Sequence, residues 1–317
     1  MFQTVLVPLD GSRLAEAAVG HAAAVAHAFH SRLQLVRVVP MRQRAGSTPL
    51  DVIDRRLAHA EARAYLDALA TELSSRGMAV DVAVTEGQPA DRILEIMRAD
   101  PPDLVILTTH GAGGSSEFRV SGTASKVISL AGTSVLLVPT TADTPAATGY
   151  QRVLVATDCS HESDCALTVG AELARVANAE LVLLHVVAVP ETMDRMPLGF
   201  EHRELVERLV AMNRHAAETW LEEAKARLVG GSDLRVRTRV EVAPGVAQAL
   251  AEVAEEERPD LVVLAAQGKS GGTRWLYGAI ATQTLAEARR PLLIVQGSPR
   301  SLEEPHVAAI QRRSIRA

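Results

Sequence analysis

The feature that most constrains this chain is a repeat of its own sequence. At an offset of 148 residues, the run Val5-Leu6-Val7 falls on Val153-Leu154-Val155, and the Asp-x-Ser that begins at Asp10 falls on the one that begins at Asp158. Toward the end of each copy the offset is 157, which aligns Gly111 with Gly268. Self-similarity of this kind indicates duplication of a structural unit. We therefore expect two similar domains in tandem.

The length and the segment between the copies agree with this division. A chain of 317 residues is long enough for two domains at roughly 100 to 200 residues each. A stretch of small and polar residues with two prolines separates the copies, which is typical of a linker. We place the first domain at 1–140, the linker at 141–150, the second domain at 151–297 and a mobile tail at 298–317.

Each copy alternates short aliphatic runs with longer segments of helical periodicity. This alternation is typical of parallel strands joined by helices. The predicted fold class is α/β, with two tandem doubly wound (Rossmann-like) domains, each with a five-stranded parallel sheet. The predicted strands lie near 2–8, 32–39, 79–85, 103–109 and 134–138 in the first copy, and near 151–157, 180–187, 234–242, 260–266 and 291–295 in the second.

The helices and the last strands allow more specific expectations. Ser12 and Ser160 are predicted to N-cap the first helix of each copy, and segments 51–75 and 202–228 to form the second helix. The final strands, 134–138 and 291–295, are strongly apolar. An apolar strand at a sheet edge is a liability unless it is covered. We therefore expect these two strands to pair, which would make the two domains a pseudo-dimer.

Composition and charge exclude several classes of protein. Lys plus Arg is 33 against 38 for Asp plus Glu, so no basic surface for nucleic acid is evident. No apolar run reaches the roughly 18 residues of a membrane span, and we expect a cytoplasmic location. Cys159 and Cys165 match neither a redox pair nor a zinc pattern and are interpreted as ordinary thiols. His110 and His185 lack a second ligand at metal spacing, so no metal site is predicted.

Two loops of each copy stand out as candidate binding elements. They follow strands 1 and 4, and a doubly wound sheet binds ligands beside these strands if they are neighbours. The loops after strand 1 contain Asp10 and Asp158, each between a strand and a helix, where an aspartate can complete a turn. The loops after strand 4 carry the glycines of 111–114 and 268–272, which can cradle a phosphate or form a flexible surface.

These residues resemble the universal stress protein family in its tandem arrangement, over about residues 2–138 and 151–296. The resemblance rests on Val7-Pro8-Leu9-Asp10-Gly11-Ser12, on Leu183-Leu184-His185-Val186-Val187 and on the glycine loop after strand 4. In nucleotide-binding members that loop has the pattern Gly-x2-Gly-x9-Gly-(Ser/Thr). The resemblance implies an adenine nucleotide, ATP or else AMP or ADP, with Mg²⁺ entering only through the nucleotide phosphates.

The resemblance also implies particular nucleotide-binding positions. Thr108 and Ala265 replace the first glycine of the pattern. In the first copy the last pair is Ser121-Gly122, which is inverted, or Gly122-Thr123 if the loop is one residue longer. Asp10 and Asp158 would orient the ribose or the adenine. Val38 and Val186 would offer their backbone to adenine. The full set is Pro8, Asp10, Val38, Gly111, Gly114, Ser121, Gly122 and Thr123 in the first copy, and Asp158, Val186, Gly268, Gly271, Gly278 and Ala279 in the second.

Without paired carboxylates or a supported catalytic triad, the sequence favours a binding and regulatory module in the stress response and not an enzyme. Weak ATP hydrolysis stays open. One alternative is a nucleotide-free scaffold that acts through protein contacts. The other is a hydrolase, because Gly268-x-Ser270-x-Gly272 fits the nucleophile-elbow pattern and Ser270, Glu287 and His306 occur in the expected chain order. A homodimer of the whole chain is a further expectation from the family.

Overall fold

The computed structural model describes residues 1–40, 49–111, 120–140, 149–190, 200–230, 232–268 and 276–297. The expected tail and most of the expected linker lie outside these residues. So do four of the candidate functional residues, Gly114, Ser270, Gly271 and His306.

Each half of the chain alternates strands and helices, which confirms the α/β prediction. The first half contains β1 (Thr4–Pro8), α1 (Arg13–Phe29), β2 (Arg32–Val39), α2 (Pro49–Ser75), β3 (Ala79–Glu86), α3 (Pro89–Ala99), β4 (Leu104–Thr108), α4 (Gly122–Leu130) and β5 (Ser134–Val138). The second half contains β6 (Arg152–Ala156), α5 (Asp164–Ala177), β7 (Glu180–Ala188), α6 (Phe200–Val229), β8 (Arg235–Ala243), α7 (Val246–Glu257), β9 (Leu261–Ala265), α8 (Ala279–Glu287) and β10 (Leu292–Val295).

The ten strands form one sheet in the order β3-β2-β1-β4-β5-β10-β9-β6-β7-β8. Within each half, neighbouring strands are parallel. β1 lies between β2 and β4, and β6 lies between β7 and β9, so the strand order reverses beside the first strand of each half. Strands 1 and 4 of each copy are therefore neighbours, and the loops that follow them meet at the same border of the sheet.

The two halves join where β5 pairs with β10 in the antiparallel direction. Leu136 lies opposite Leu293 in this register, and both side chains are fully buried. Every residue of both strands is buried, since helices pack on both faces of the sheet. The two five-stranded parallel sheets expected from the sequence are thus joined, through the two final strands that were expected to pair, into a single ten-stranded sheet.

The two predicted helix caps differ. Ser12 caps α1, because its hydroxyl oxygen accepts the N–H of Ala15 at 3.1 Å. Ser160 instead accepts the N–H of Ser163 and caps a 3₁₀ turn, and α5 begins only at Asp164. The hydroxyl of Ser163 explains this correction, because it donates to the Ser160 carbonyl oxygen at 2.7 Å and lies 2.8 Å from the Thr157 hydroxyl. These bonds hold a tighter turn than an α-helix.

One polar pair is buried beside the start of the second half. His21 of α1 and Tyr150 are 5% and 3% exposed, and the His21 Nδ1 atom lies 2.9 Å from the Tyr150 hydroxyl oxygen. Burial lowers the pKa of His21 to about 4, although the negative charge of Asp260 acts in the opposite direction. His21 is therefore neutral in the folded protein at neutral pH.

This pair makes stability dependent on pH. Because the folded state resists protonation of His21 and the unfolded state accepts it near pH 6.5, stability falls as the pH drops from about 6.5 toward 4. We expect the wild-type chain to lose about 2 kcal/mol more than a His21→Gln variant between pH 7 and pH 5. Urea unfolding at both pH values measures this difference. Equal pH dependence in the two proteins would contradict it.

Candidate functional site

A cavity of about 790 Å³ lies in the second half at the carboxyl ends of β6, β7 and β9. This is the place where the strand order reverses. The loop after β6, the loop after β9, the start of α8 and one side of α6 form its walls. The residues that these elements contribute include Thr157, Asp158, Cys159, His185, Val186, Asn213, Trp220, Gln267, Gly268, Tyr277, Gly278 and Ala279.

The walls of this cavity are mainly apolar, with a few polar groups among them. Leu184, Val186 and Leu250 supply aliphatic surface, and Trp220 supplies an aromatic ring. Small-molecule sites in proteins are commonly of this size, apolar, and furnished with a few polar groups that set orientation. Burial raises the pKa of Tyr277, so this phenol remains protonated at neutral pH. The cavity therefore suits an organic ligand with an apolar or aromatic part.

The loops after β6 and β9 meet in a contact that requires glycine. Asp158 Oδ1 accepts hydrogen bonds from the backbone N–H of Ser160 at 3.1 Å and from its hydroxyl at 2.5 Å. A Cβ atom on Gly268 would lie 2.0 Å from Asp158 Oδ2. The carboxylate can occupy this position only because Gly268 has no side chain.

The first half repeats this contact. A Cβ atom on Gly111 would lie 2.0 Å from Asp10 Oδ2, and Asp10 Oδ1 accepts the N–H of Ser12 at 2.9 Å. In both halves, the aspartate of the loop after strand 1 therefore packs directly against the glycine of the loop after strand 4. The two loops of each half therefore meet, as the sequence predicts if strands 1 and 4 are neighbours, and the glycine leaves room for the carboxylate beside it.

The starts of α4 and α8 settle the alignment of the two glycine motifs. The N–H of Ser121 donates to the Thr109 carbonyl oxygen at 2.7 Å, and the N–H of Gly278 donates to the Ala266 carbonyl oxygen at the same distance. Ser121-Gly122 therefore corresponds to Gly278-Ala279. Thr123 is the second residue of α4. The alternative register, with Gly122-Thr123 at these positions, is wrong.

These two helix starts also differ chemically. The Ser121 hydroxyl oxygen accepts the N–H of Ala124 at 3.3 Å and so caps α4 itself. Gly278 has no hydroxyl, and α8 begins without a side-chain cap. The glycine is not forced by space, because the nearest atom to a Cβ there is the Ala266 carbonyl oxygen at 3.5 Å. Its effect is to leave the first turn of α8 without a side-chain hydrogen bond acceptor.

In the first half, a cation lies beside the Asp10 loop. The Arg37 guanidinium is so close to Gly11 that a Cβ on this glycine would be 2.8 Å from the Arg37 Cζ atom. The same guanidinium lies 5.2 Å from the centre of the Tyr65 ring. By the repeat, Cys159 and His185 take the places of Gly11 and Arg37. The two candidate sites are therefore not equivalent.

The remaining predicted residues lie where the repeat placed them. Pro8 ends β1, and Val38 is near the end of β2. Val186, Gly278 and Ala279 line the cavity. Sequence reasoning missed Asn213 and Trp220, which α6 contributes. A tryptophan in a long helix rich in charged residues was the available signal, but only the fold shows that it faces the cavity.

Within the described part of the chain, His, Cys, Asp and Glu side chains form no group of three or more that could hold a metal ion. No described helix has both the length and the apolar character needed to cross a membrane.

The fold defines a class: a doubly wound α/β domain, present twice, with a cavity in the second copy where the strand order reverses. The chain belongs to the universal stress protein family, whose model matches residues 1–139 and 149–296. It is 31% identical over 140 residues to a universal stress protein of Thermus aquaticus, which covers 44% of this chain and 99% of that protein. A Methanocaldococcus jannaschii relative is 27% identical over 148 residues, 46% of this chain and 82% of its own length.

Solved structures share the tandem fold. A putative universal stress protein from Pseudomonas aeruginosa aligns over 93% of both chains with a TM-score of 0.63 at 18% identity. A universal stress protein from Archaeoglobus fulgidus aligns over 92% of this chain and 96% of its own, with a TM-score of 0.61 at 14% identity. At this level of identity, the likeness concerns the fold alone.

Proposed function

We propose that this protein is an adenine-nucleotide-binding regulatory module of the stress response, with ATP as its ligand and the second half as its main site. The observation that carries this proposal is the cavity of about 790 Å³ beside β6 and β9, into which the locked Asp158–Gly268 contact is built. An apolar pocket with a fixed carboxylate at one wall suits a nucleoside, since the base is largely apolar and the ribose hydroxyls donate hydrogen bonds.

The residues present fit such a ligand. The aliphatic wall and the Trp220 ring would accommodate the base, and the backbone of Val186 would offer hydrogen bonds to its edge. The carboxylate of Asp158 would accept from the ribose hydroxyls. Because this carboxylate is already held by Ser160, little ordering is needed when the ligand binds.

The start of α8 favours the second half for the phosphates. A helix N-terminus attracts anions through its unpaired N–H groups and the helix dipole. In α4 the Ser121 hydroxyl already accepts one of these N–H groups, whereas Gly278 leaves them to the ligand. Mg²⁺ would enter only bound to the phosphates.

The rival functions differ in what they require. A nucleotide-free scaffold is favoured by Thr108 and Ala265, which stand where the family pattern has glycine. A hydrolase would use Ser270 and His306, both outside the described residues, together with Glu287 at the end of α8. We infer binding without efficient turnover. Esterase activity that is lost in a Ser270→Ala variant would instead support the hydrolase.

We further infer that the two halves act as a pseudo-dimer. The antiparallel pairing of β5 with β10 supports this, as does the packing of α1 against α5 on one face of the sheet. A homodimer of whole chains is a second level of association, and light scattering of the purified protein tests it.

Calorimetric titration of the full chain with ATP tests the nucleotide proposal. We expect about one ATP per chain, and an affinity at least about tenfold lower in Asp158→Ala, because the charged hydrogen bonds of a carboxylate contribute about 1.5–3 kcal/mol. Asp10→Ala is the matched control in the first half and should change the affinity less than about threefold. Absence of binding by ATP, ADP and AMP at millimolar concentration would overturn the proposal, and equal losses in the two variants would overturn the preference for the second half.

The fluorescence of Trp220 provides a second measurement of ATP binding. The chain has two tryptophans, Trp220 and Trp275, so a Trp275→Phe background reports on Trp220 alone. Since Trp220 lines the cavity, ATP should change its fluorescence with the same affinity as in calorimetry. Calorimetric binding without any change in fluorescence would place the ligand elsewhere.

A further inference from the structure

A thiol and an imidazole face each other in the wall of the cavity. The Cys159 Sγ atom lies 3.4 Å from the His185 Nδ1 atom, and both residues are half-buried and line the cavity. Cys159 is a thiol in the structure and not part of a disulfide. The two residues are 26 positions apart in the chain, at the ends of neighbouring strands. The cavity gives a small molecule access to this pair.

The surroundings of the imidazole show which atom carries a proton. His185 Nδ1 lies 2.8 Å from the Thr157 carbonyl oxygen. A carbonyl oxygen only accepts hydrogen bonds, so Nδ1 must donate and carries the hydrogen. The same N–H is within reach of the Cys159 sulfur. The sulfur can therefore accept the second, weaker branch of a bifurcated hydrogen bond from this N–H, and this position favours a thiolate over a thiol.

The neighbouring carboxylate of Asp158 disfavours a thiolate at Cys159, but this carboxylate already accepts hydrogen bonds from the N–H and the hydroxyl of Ser160. The first copy has neither member of the pair, because Gly11 and Arg37 stand in their places.

The backbone at Cys159 follows the conformation of its glycine counterpart. Gly11 has a φ of 83°, and Cys159 has a φ of 58°, which is the left-handed region. A residue with a side chain is disfavoured there by roughly 1 kcal/mol or more. The second copy thus has a cysteine at a position where the backbone alone would favour glycine.

We propose that Cys159 is an oxidisable thiol site in the wall of the ligand cavity, which a small hydroperoxide modifies and which His185 activates. The thiolate sulfur attacks the terminal oxygen of the hydroperoxide. A sulfur–oxygen bond forms as the oxygen–oxygen bond breaks, and the sulfur is oxidised by two electrons to a sulfenic acid. The peroxide is reduced to an alkoxide, which takes a proton from solvent and leaves as the alcohol, or as water when the oxidant is hydrogen peroxide.

Oxidation has a consequence for the ligand. A sulfenic acid adds an oxygen atom beside Asp158, where the proposed nucleoside would lie. ATP and oxidation should therefore oppose each other, and this second part rests on the proposed function. The reactivity of the thiol itself does not.

Cys165 is an internal control for the reactivity of Cys159. The Cys165 sulfur donates to the Glu162 carbonyl oxygen at 3.3 Å, and burial raises the pKa of this thiol. The full chain is treated with hydrogen peroxide in the presence of dimedone, which traps sulfenic acids, and the labelled peptides are quantified by mass spectrometry. We expect Cys159 to be labelled at least about tenfold faster than Cys165. Equal rates at the two cysteines would overturn the proposal.

The role of His185 has a separate readout. In a Cys165→Ser background, the rate of alkylation by iodoacetamide is measured against pH. His185→Leu removes the donor, so the midpoint of the profile should move to higher pH, and His185→Asn should restore part of the shift through its amide N–H groups. An unchanged midpoint in His185→Leu would remove His185 from the proposal.

The link to the nucleotide is tested by repeating the dimedone labelling with saturating ATP. We expect the Cys159 rate to fall at least about fivefold and the Cys165 rate to stay constant. If calorimetry shows ATP binding while the Cys159 rate is unchanged, the link is wrong. If calorimetry shows no binding, the proposed function fails, and preferential labelling of Cys159 without ATP still supports the thiol site.

Discussion

Replacing Gly268 with valine should weaken ATP binding to the full chain by about 100-fold or more. The Cβ of any side chain at this position would lie 2.0 Å from Asp158 Oδ2, so the carboxylate must leave its place and give up its hydrogen bonds with Ser160. A loss of about 2.7 kcal/mol corresponds to this factor and is within the range for a charged hydrogen-bonding group. Calorimetric titration measures it.

Two variants serve as controls for this result. Gly111→Val displaces Asp10 in the same way in the first half, and it should change the ATP affinity less than about threefold. Gly278→Ala introduces a Cβ whose nearest neighbour is at 3.5 Å, so binding should be retained. Equal losses from Gly268→Val and Gly111→Val would contradict the assignment of the main site to the second half.

Placing charge at the junction of the two halves should have the largest effect on stability. Leu136 and Leu293 face each other across β5 and β10 and have no exposed surface. An unpaired carboxylate there costs several kcal/mol, and we expect Leu136→Asp and Leu293→Asp each to lower the free energy of unfolding by about 3–5 kcal/mol. The double variant should show separate unfolding transitions and rapid proteolysis in the linker.

The control for this pair is an aspartate at an exposed aliphatic position. Ile53 of α2 is 61% exposed, so Ile53→Asp should change stability by less than about 0.5 kcal/mol. If the double variant fails to fold, Leu136→Ala gives a milder test, with an expected loss of about 2–5 kcal/mol from the cavity it leaves. A double variant with a single transition and an intact linker would refute the idea that the halves depend on this contact.

The positions of the strands could be predicted because the sequence of a strand buried on both faces is strongly constrained. A strand covered on both faces must be apolar throughout, and runs such as Leu104-Val105-Ile106-Leu107 and Leu261-Val262-Val263-Leu264 have this character. The sequence left open whether strands 1 and 4 are neighbours, and the structure shows that they are in both halves. Predicted strand ends differ from the observed ones by at most two residues.

Contacts between residues that are far apart in the chain could not be predicted from the sequence. The motif explained Gly268 by a phosphate, whereas the structure places the Asp158 carboxylate against it, 110 positions earlier in the chain. Trp220 reaches the cavity only because α6 packs over β7. Cys159 is interpreted from the sequence as an ordinary thiol because its spacing from Cys165 matches no motif, and only the fold brings His185 next to it. Such contacts depend on register, which pattern analysis does not determine.

Because β10 runs antiparallel to β5, the strands of the two halves run in opposite directions across the sheet. Since the strands of each half are parallel, the carboxyl ends of one half lie at one border of the sheet, and those of the other half lie at the opposite border. The Asp158 cavity and the Asp10 loop therefore open in opposite directions. A molecule bound at one border therefore leaves the other border accessible, and the difference between Arg37 and His185 concerns two surfaces on opposite sides of the molecule.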